Sequence, residues 1–407
     1  MTALVITPLI FGLIAGFNPK ELGEFAISGI KQVAPTGILL MFAVLYFATM
    51  LDAGLFDPVI ATIIKSVKGD PLKVIIGTAI LTMIVHLDGD GTATFMIVLS
   101  AFLPIYKQLK INRLVLSSIV ALSVGPMHLV PWSGTSARAI STLKSDAVHI
   151  FNPNIPAIIG GIVWVLFVAF IFGKKERKRL GIIDFQYNHK ENLSKEQQEL
   201  RRPKLLIFNA VLTVSLIIAL MKGWVPVAVL FVVASMIALL VNYPKIADQQ
   251  KVMRSHGTNI FLVSSMIFAA GIFSGILTGS KMIEEMANAL VALIPQNHAN
   301  LLPTLTAITS LPASMLFTPD AYYFGVMPIL SQTASQFGID QLEIGRAALL
   351  GQMTVGFPIS PLTASTFLLV GLAEVDLGEH QRHTFKWAWG TTIVMTTVAI
   401  LTGSIHL

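Results

Sequence analysis

The sequence predicts an all-α polytopic membrane protein made of two inverted repeats, each with a re-entrant hairpin and a proline-broken helix. Three observations lead there. The first is composition. The chain is 54% hydrophobic and only 12% charged, with a mean hydropathy of +0.74, whereas a soluble domain carries about 25% charged residues. A water-soluble fold of this composition would lack a polar surface. The second is the length of the apolar runs, close to the roughly 17–25 residues that cross a bilayer. The third is a motif that occurs in both halves: VPWSGTSA at 130–137 and FPISPLTA at 357–364 share Pro-x-Ser-x-x-Ser/Thr-Ala.

The elements follow in order. Residues 3–17 are apolar but short, and no convincing cleavage site follows them, so they read as a retained span. A clear span covers 36–56. Region 74–109 is apolar but split by LDGDG, and 111–148 is split by GPMHLVPWSGT. A span at 153–173 closes the first repeat, 1–173. Residues 174–203 form a basic and polar linker that begins KKERKR and ends near RRPK. The second repeat, 204–407, has spans at 204–221, 224–242, 258–276 and 387–404. Between them lie 301–337, split by FTPD, and 341–373, split by GFPISPLT. Segment 204–221 has no counterpart in the first half, which suggests a truncated start.

Charge sets the orientation. The linker is the most basic loop, so it is expected in the cytoplasm. Loop 65–73 and the cluster Lys107, Lys110 and Arg113 then also fall inside. Region 74–109 therefore enters and leaves on one face, with LDGDG at the tip. The same counting brings hairpin 301–337 in from outside, with FTPD at its tip. Two full spans per hairpin would fit the charges equally well, so the depth of the tip separates the readings. Beside the shared motif, Gly54 matches Gly275, Ile111 matches Ile339 and Pro19-Lys20 matches Pro244-Lys245. Matches in the same order point to duplication, and opposite entry makes the copies inverted, a pattern of secondary transporters.

The breaks hold the candidate chemistry. Pro126, Pro131, Pro358 and Pro361 should unwind their helices. Unwound backbone persists at membrane depth only where it is buried or lines a wet cavity. Its free N–H groups and the N-terminus of the next half-helix suit an anion. Ser133, Gly134, Thr135, Ser136, Ser360 and Thr363 are thus substrate-binding candidates; the plainer reading is Ser/Thr holding helices together. Asp88 and Asp90 are costly at this depth, each about 2.5–3.5 kcal/mol on insertion scales. They are candidates for a metal or proton site, against the plainer role of turn caps. Asp320, preceded by Thr318 and Pro319, is the matching acid of the second hairpin or a helix-start acid. Arg138 would hold a carboxylate bidentately or pair with Asp88 or Asp90. His86 and His128 would relay protons or pack helices.

These stretches resemble a known family. HLDGDGTATF (86–95), VAPTGILLMFAVLYFATMLDAGLFDP (33–58), LVPWSGTSARA (129–139) and LFTPDAYYFGVMPIL (316–330) are similar to the citrate–metal–proton symporter (CitMHS) family of the ion transporter superfamily. The resemblance covers essentially the whole chain. It implies proton-driven uptake of citrate complexed with a divalent cation, Mg²⁺ or Ca²⁺, across the cytoplasmic membrane, with no permanently bound cofactor. It also implies a homodimer with a scaffold and an elevator-type transport domain. Related dicarboxylate carriers have a Ser-Asn-Thr motif after each hairpin that binds sodium. The matching places here are Ser133-Gly134-Thr135 and Ser360-Pro361-Leu362-Thr363, and the missing Asn agrees with protons. Family members usually begin with one more apolar helix.

Other classes fit less well. Another di- or tricarboxylate carrier, or a cation/proton antiporter of the same superfamily, is the alternative. No G-x-x-x-x-G-K-[ST] loop is present for an ATP-driven motor. The basic stretch lies beside a span, which makes it a topology signal or lipid contact and not a nucleic-acid site. An intramembrane aspartyl protease needs Gly-x-Gly-Asp, and residue 87 is leucine, so no enzyme is expected.

Overall fold

The computed structural model describes residues 2–406 apart from 68, 183–194, 223, 293 and 295. Among the described residues it consists of helices and turns. Helix α1 (Thr2–Ile14) leads to α2 (Pro19–Asp52), whose start is fixed by a reciprocal cap. Asn18 Oδ1 accepts from the N–H groups of Lys20 and Glu21, and Glu21 accepts from the Asn18 N–H. This helix begins well before the apolar run at 36, because capping makes its polar first turns helical without burial. Helix α3 (Asp57–Val67) precedes the first hairpin: α4 (Pro71–Val85), a 3₁₀ turn (His86–Asp88) and α5 (Gly91–Gln108).

The first broken helix is α6 (Arg113–Met127) and α7 (Gly134–Thr142). Pro126 does not start the break; it lies in the last turn of α6. Short α8 (Ala147–Phe151) leads to α9 (Ile155–Leu180). Helix α9 runs into the start of the linker, residues 183–194 lie outside the described residues, and α10 (Lys195–Leu200) covers part of its end. Next come α11 (Leu206–Lys222), α12 (Val227–Asn242), α13 (Ile246–Gly279) and α14 (Met282–Val291). The second hairpin is α15 (Leu302–Ala313), a turn, a π-helical stretch (Ala321–Val326) and α16 (Met327–Gln336). The second broken helix is α17 (Gln341–Leu349) and α18 (Ala364–Ala373), and α19 (Leu377–Leu401) ends the chain.

Polar bonds sort to the two ends of α9. At its C-terminal end Arg177 pairs with Asp70, the cap of α4. Arg179 donates to the Lys110 carbonyl just past α5, and Lys107 and Arg113 both hold Glu374. Both ends of the first hairpin therefore meet one end of α9. At the other end Asn154 donates to the Arg346 carbonyl and accepts from Ser404, and His406 bonds Glu343. Helices α4 and α6 each have 15 residues, about 22 Å. The 26 residues of α9 measure about 39 Å. The first tip thus stops well short of the far end, which the chain reaches only through α7.

The helices form two packing groups. One is a large apolar core shared by α4, α5, α6, α9, α15, α17 and α19. The other is built on α2 against α12 and α13. Where α2 and α13 cross, a Cβ on Gly29 would lie 1.9 Å from the Gly271 carbonyl oxygen, and one on Gly275 2.3 Å from that of Phe25. Only glycine permits this approach, a small-residue helix interface. Trp132, from the first break, stacks on Phe47 of α2 at 5.5 Å and joins the groups. Among the described residues five helical segments, Pro19–Asp52, Pro71–Asp88, Ala147–Leu180, Gln198–Leu220 and Ile260–Gly279, are long and apolar enough to cross a membrane. Ile159, Val163, Phe167 and Phe170 make an exposed stripe on one side of α9, the spacing of a lipid-facing helix.

Candidate functional site

Both hairpin tips and both breaks meet inside the helical body. The breaks cross closely: Thr135 Oγ1 donates to the Met353 carbonyl at 3.0 Å, and a Cβ on Gly125 would lie 3.0 Å from the Val355 Cα. The sequence QMTVGFPISPLT, residues 352–363, stays unwound because other groups satisfy its backbone. His380 Nε2 and Gln381 Nε2, both from α19, reach the carbonyls of Pro358 and Ile359. Ser314 Oγ accepts from the Met353 N–H.

At the first tip the two acids lie in the turn. Asp88 Oδ1 accepts from the Asp90 N–H, and Asp90 Oδ1 caps α5 by accepting from the Thr92 N–H, both at 2.9 Å. Gly89 has φ +76°, and a Cβ there would be 3.3 Å from the Ser133 Cα. Glycine therefore supplies both the left-handed turn and the close approach to the break. Trp132 Nε1 donates to the Leu87 carbonyl at 2.7 Å and fastens the tip to the first break.

His86 and His128 form a buried pair, Nε2 to Nδ1 at 2.8 Å, with Phe357 of the second break stacked on His128 at 4.9 Å. The surrounding bonds set their tautomers when both rings are neutral. The Thr94 hydroxyl donates to the Asp90 carbonyl at 2.8 Å. Its oxygen then accepts from His86 Nδ1–H, 2.9 Å away. His86 Nε2 must accept from His128 Nδ1–H, which leaves the lone pair of His128 Nε2 outside the chain. The pair joins the hairpin tip to the first break by hydrogen bonds.

Arg138 answers the open question of its partner. Its Nε donates to Asp320 Oδ1 at 2.7 Å, and its Nη1 to the Gly134 carbonyl at 2.9 Å. The bridge joins the first broken helix to the second hairpin tip; Arg138 does not pair with Asp88 or Asp90 in the structure. The side chains are 17% and 23% exposed. Three guanidinium N–H positions and the second Asp320 oxygen are not used by these bonds, so the bridge presents both signs of charge to whatever enters.

The candidate hydroxyls have local tasks. Ser133 Oγ caps α7 by accepting from the Ser136 N–H, and Ser136 Oγ donates to the Leu129 carbonyl. Ser360 Oγ donates to the Ser314 carbonyl at 2.6 Å, and Thr363 Oγ1 to that of Phe357 at 3.0 Å. Thr318 Oγ1 accepts from the Ala321 N–H. Ser136, Ser360 and Thr363 thus hold the breaks in shape as donors, and Ser133 and Thr318 as acceptors. Among the described residues no three His, Asp or Glu side chains gather as a metal cage.

Three participants escaped sequence reasoning. Gln352 is fully buried and accepts from Ser314 Oγ at 2.8 Å. The Tyr323 hydroxyl donates to the Gln352 carbonyl, and Phe357 covers the histidine pair. Each lies beside a motif that was read, but a buried Gln or Phe in an apolar run carries no pattern of its own. A cleft of about 210 Å³ near the first tip is lined by Leu87, Val130, Trp132, Ile158 and Leu220 among others; its wall is apolar and unsuited to a carboxylate.

A family profile described as citrate transporter (CitMHS) matches residues 1–351. A citrate transporter of Bacillus subtilis (strain 168) is 53% identical over 405 residues, covering 100% of this chain and 94% of that protein. A Mg²⁺/citrate complex secondary transporter of the same organism is 48% identical over 409 residues, with coverage of 100% and 94%. Among solved structures, the YdaH transporter of Alcanivorax borkumensis superposes with a TM-score of 0.66 at 14% identity, covering 99% of this chain and 96% of that one; this likeness shows the fold alone.

Proposed function

The chain belongs to the citrate transporter family, a multi-pass membrane family of transporters and not of enzymes, and on that premise we propose that it takes up citrate bound to a divalent metal ion, coupled to protons. The observation that carries this reading is the half-buried Arg138–Asp320 bridge between the first break and the second tip. A metal–citrate complex presents carboxylates and a cation together. Arg138 and the α7 N-terminus would meet the carboxylates, and the second oxygen of Asp320 would face the metal. Citrate itself supplies most of the metal's ligands, in keeping with a site that gathers few acids. Mg²⁺ or Ca²⁺ fits such oxygen ligands. The name of the Mg²⁺/citrate relative supports the same choice.

For the proton, the His86–His128 pair is the path the geometry favours, with the carboxylates of Asp88 and Asp90 beside it; Thr94 reaches only the Asp90 backbone carbonyl. The opposed hairpins support inverted repeats and alternating access. In this reading the core group moves against the framework of α2, α12 and α13, the linker 174–203 is cytoplasmic, the bilayer is the cytoplasmic membrane, and the protein is a homodimer.

Uptake of radiolabelled citrate into proteoliposomes, with Mg²⁺, Ca²⁺, Zn²⁺ or no metal and with or without a pH gradient, tests the proposal. Metal-dependent uptake driven by an alkaline interior is expected. Equal uptake without metal would remove the complex from the reading, and proton flux independent of citrate would favour an ion exchanger.

A further inference from the structure

A second polar cavity lies between the two packing groups, at the end of the molecule opposite the basic linker. Its volume is about 230 Å³, and its lining includes Thr142, Lys144, Thr278, Lys281, Glu284 and Gln332. From it we infer an outer vestibule that captures the anionic metal–carboxylate substrate before it reaches Arg138; the inference rests on the transport reading above.

Four features support it. Lys144, just past α7, and Lys281, between α13 and α14, both line the cavity, and among the described residues neither reaches a carboxylate within ion-pair distance. Glu284 is the single acid of the lining, so the cavity is net positive yet offers one oxygen ligand to a cation. Both lysines have left-handed backbones, φ 55° and 60°, a conformation that costs a non-glycine residue free energy and holds only where the surroundings impose it. Finally, Thr142 lines the cavity, and among the described residues its buried Oγ1 has no hydrogen-bond partner. A buried hydroxyl without a partner is rare and needs an explanation; a bound carboxylate supplies one.

Helix α7 links the cavity to the bridge. Thr142 follows Arg138 by four residues on α7, so the two share a face about one turn apart. The guanidinium reaches back to the Gly134 carbonyl, so a carboxylate held at Thr142 lies about two turns, roughly 12 Å, from it along α7. Paired lysines at a mouth raise the local concentration of an anion and its rate of arrival.

The chain has no cysteine, which makes the test direct. Gln332→Cys is labelled from outside with an anionic and a cationic methanethiosulfonate. The anionic-to-cationic rate ratio should fall about two- to threefold per lysine in Lys144→Gln and Lys281→Gln, return with arginine, and magnesium citrate should slow labelling. In uptake assays the double variant should raise KM at least fivefold with Vmax kept, and lose most of the ionic-strength dependence. Thr142→Val should raise KM while leaving thermal stability equal or higher, the opposite of a packing defect. An unchanged labelling ratio, or an unchanged KM, overturns the vestibule. A wild-type protein that takes up no magnesium citrate overturns the transport reading instead, and the labelling ratio still decides the charge at the cavity.

Discussion

At the level of single residues, charge and hydrogen bonding can be tested apart from folding. Asp90→Asn keeps an amide oxygen able to cap α5, because Asn caps nearly as well as Asp. It should fold and abolish proton-coupled citrate uptake; unchanged rate and pH dependence would exclude Asp90 from coupling. Arg138→Gln and Asp320→Asn should each lower uptake at least tenfold. The double variant should lose less than the product of the two, because each single change strands the other charge; independent losses would dissolve the bridge as a unit. Asp70 illustrates a structural acid. Burial alone would raise its pKa, but the Arg177 hydrogen bond, the Leu72 N–H and nearby positive charge together hold it below the usual carboxylate value. A depressed folded-state pKa stabilises above the unfolded value and loses that contribution as pH falls through the lowered one. Asp70→Asn should therefore cost about 1–2 kcal/mol near neutrality, with Arg177 partly solvent-screened, and the cost should shrink below about pH 4. Thermal unfolding in detergent at several pH values measures it.

At the level of elements, apolar length and proline placement made the helices and both breaks legible. Helix ends were less so. The polar first turns of α2 and α13 extend past their apolar runs, since caps and neighbouring helices fix those ends while hydropathy is silent there. The α2–α13 contact was legible only as scattered glycines, and its closeness emerges when both helices are present. Gly29→Val should destabilise the protein by about 3 kcal/mol, because its side chain would meet backbone that cannot move aside cheaply; a melting temperature within one degree of wild type would refute the tight crossing. Trp132→Phe keeps the stacking on Phe47 but leaves the Leu87 carbonyl without its donor, at a cost of about 1–3 kcal/mol. Faster proteolysis near the first hairpin tip would register the loosening.

Over the whole molecule, orientation is the property that charge alone suggests. With no native cysteine, Gly181→Cys should react with an impermeant maleimide only in inside-out vesicles, and Asn288→Cys only in right-side-out ones. The opposite pattern would invert the topology. The sequence by itself determined the class: too few charges for a soluble surface, apolar runs of spanning length, and a repeated break that marks where helices must unwind. Those are local properties, set by composition and backbone chemistry. Which groups meet was decided by tertiary structure alone. Arg138 is 182 positions from Asp320 and His86 is 42 from His128, and on paper Asp88 or Asp90 was the expected ion-pair partner for the arginine. Only the crossing of the two breaks brings the second tip to α7 and the first tip to His128, because contact is a matter of where packed helices place a side chain and not of its place in the chain.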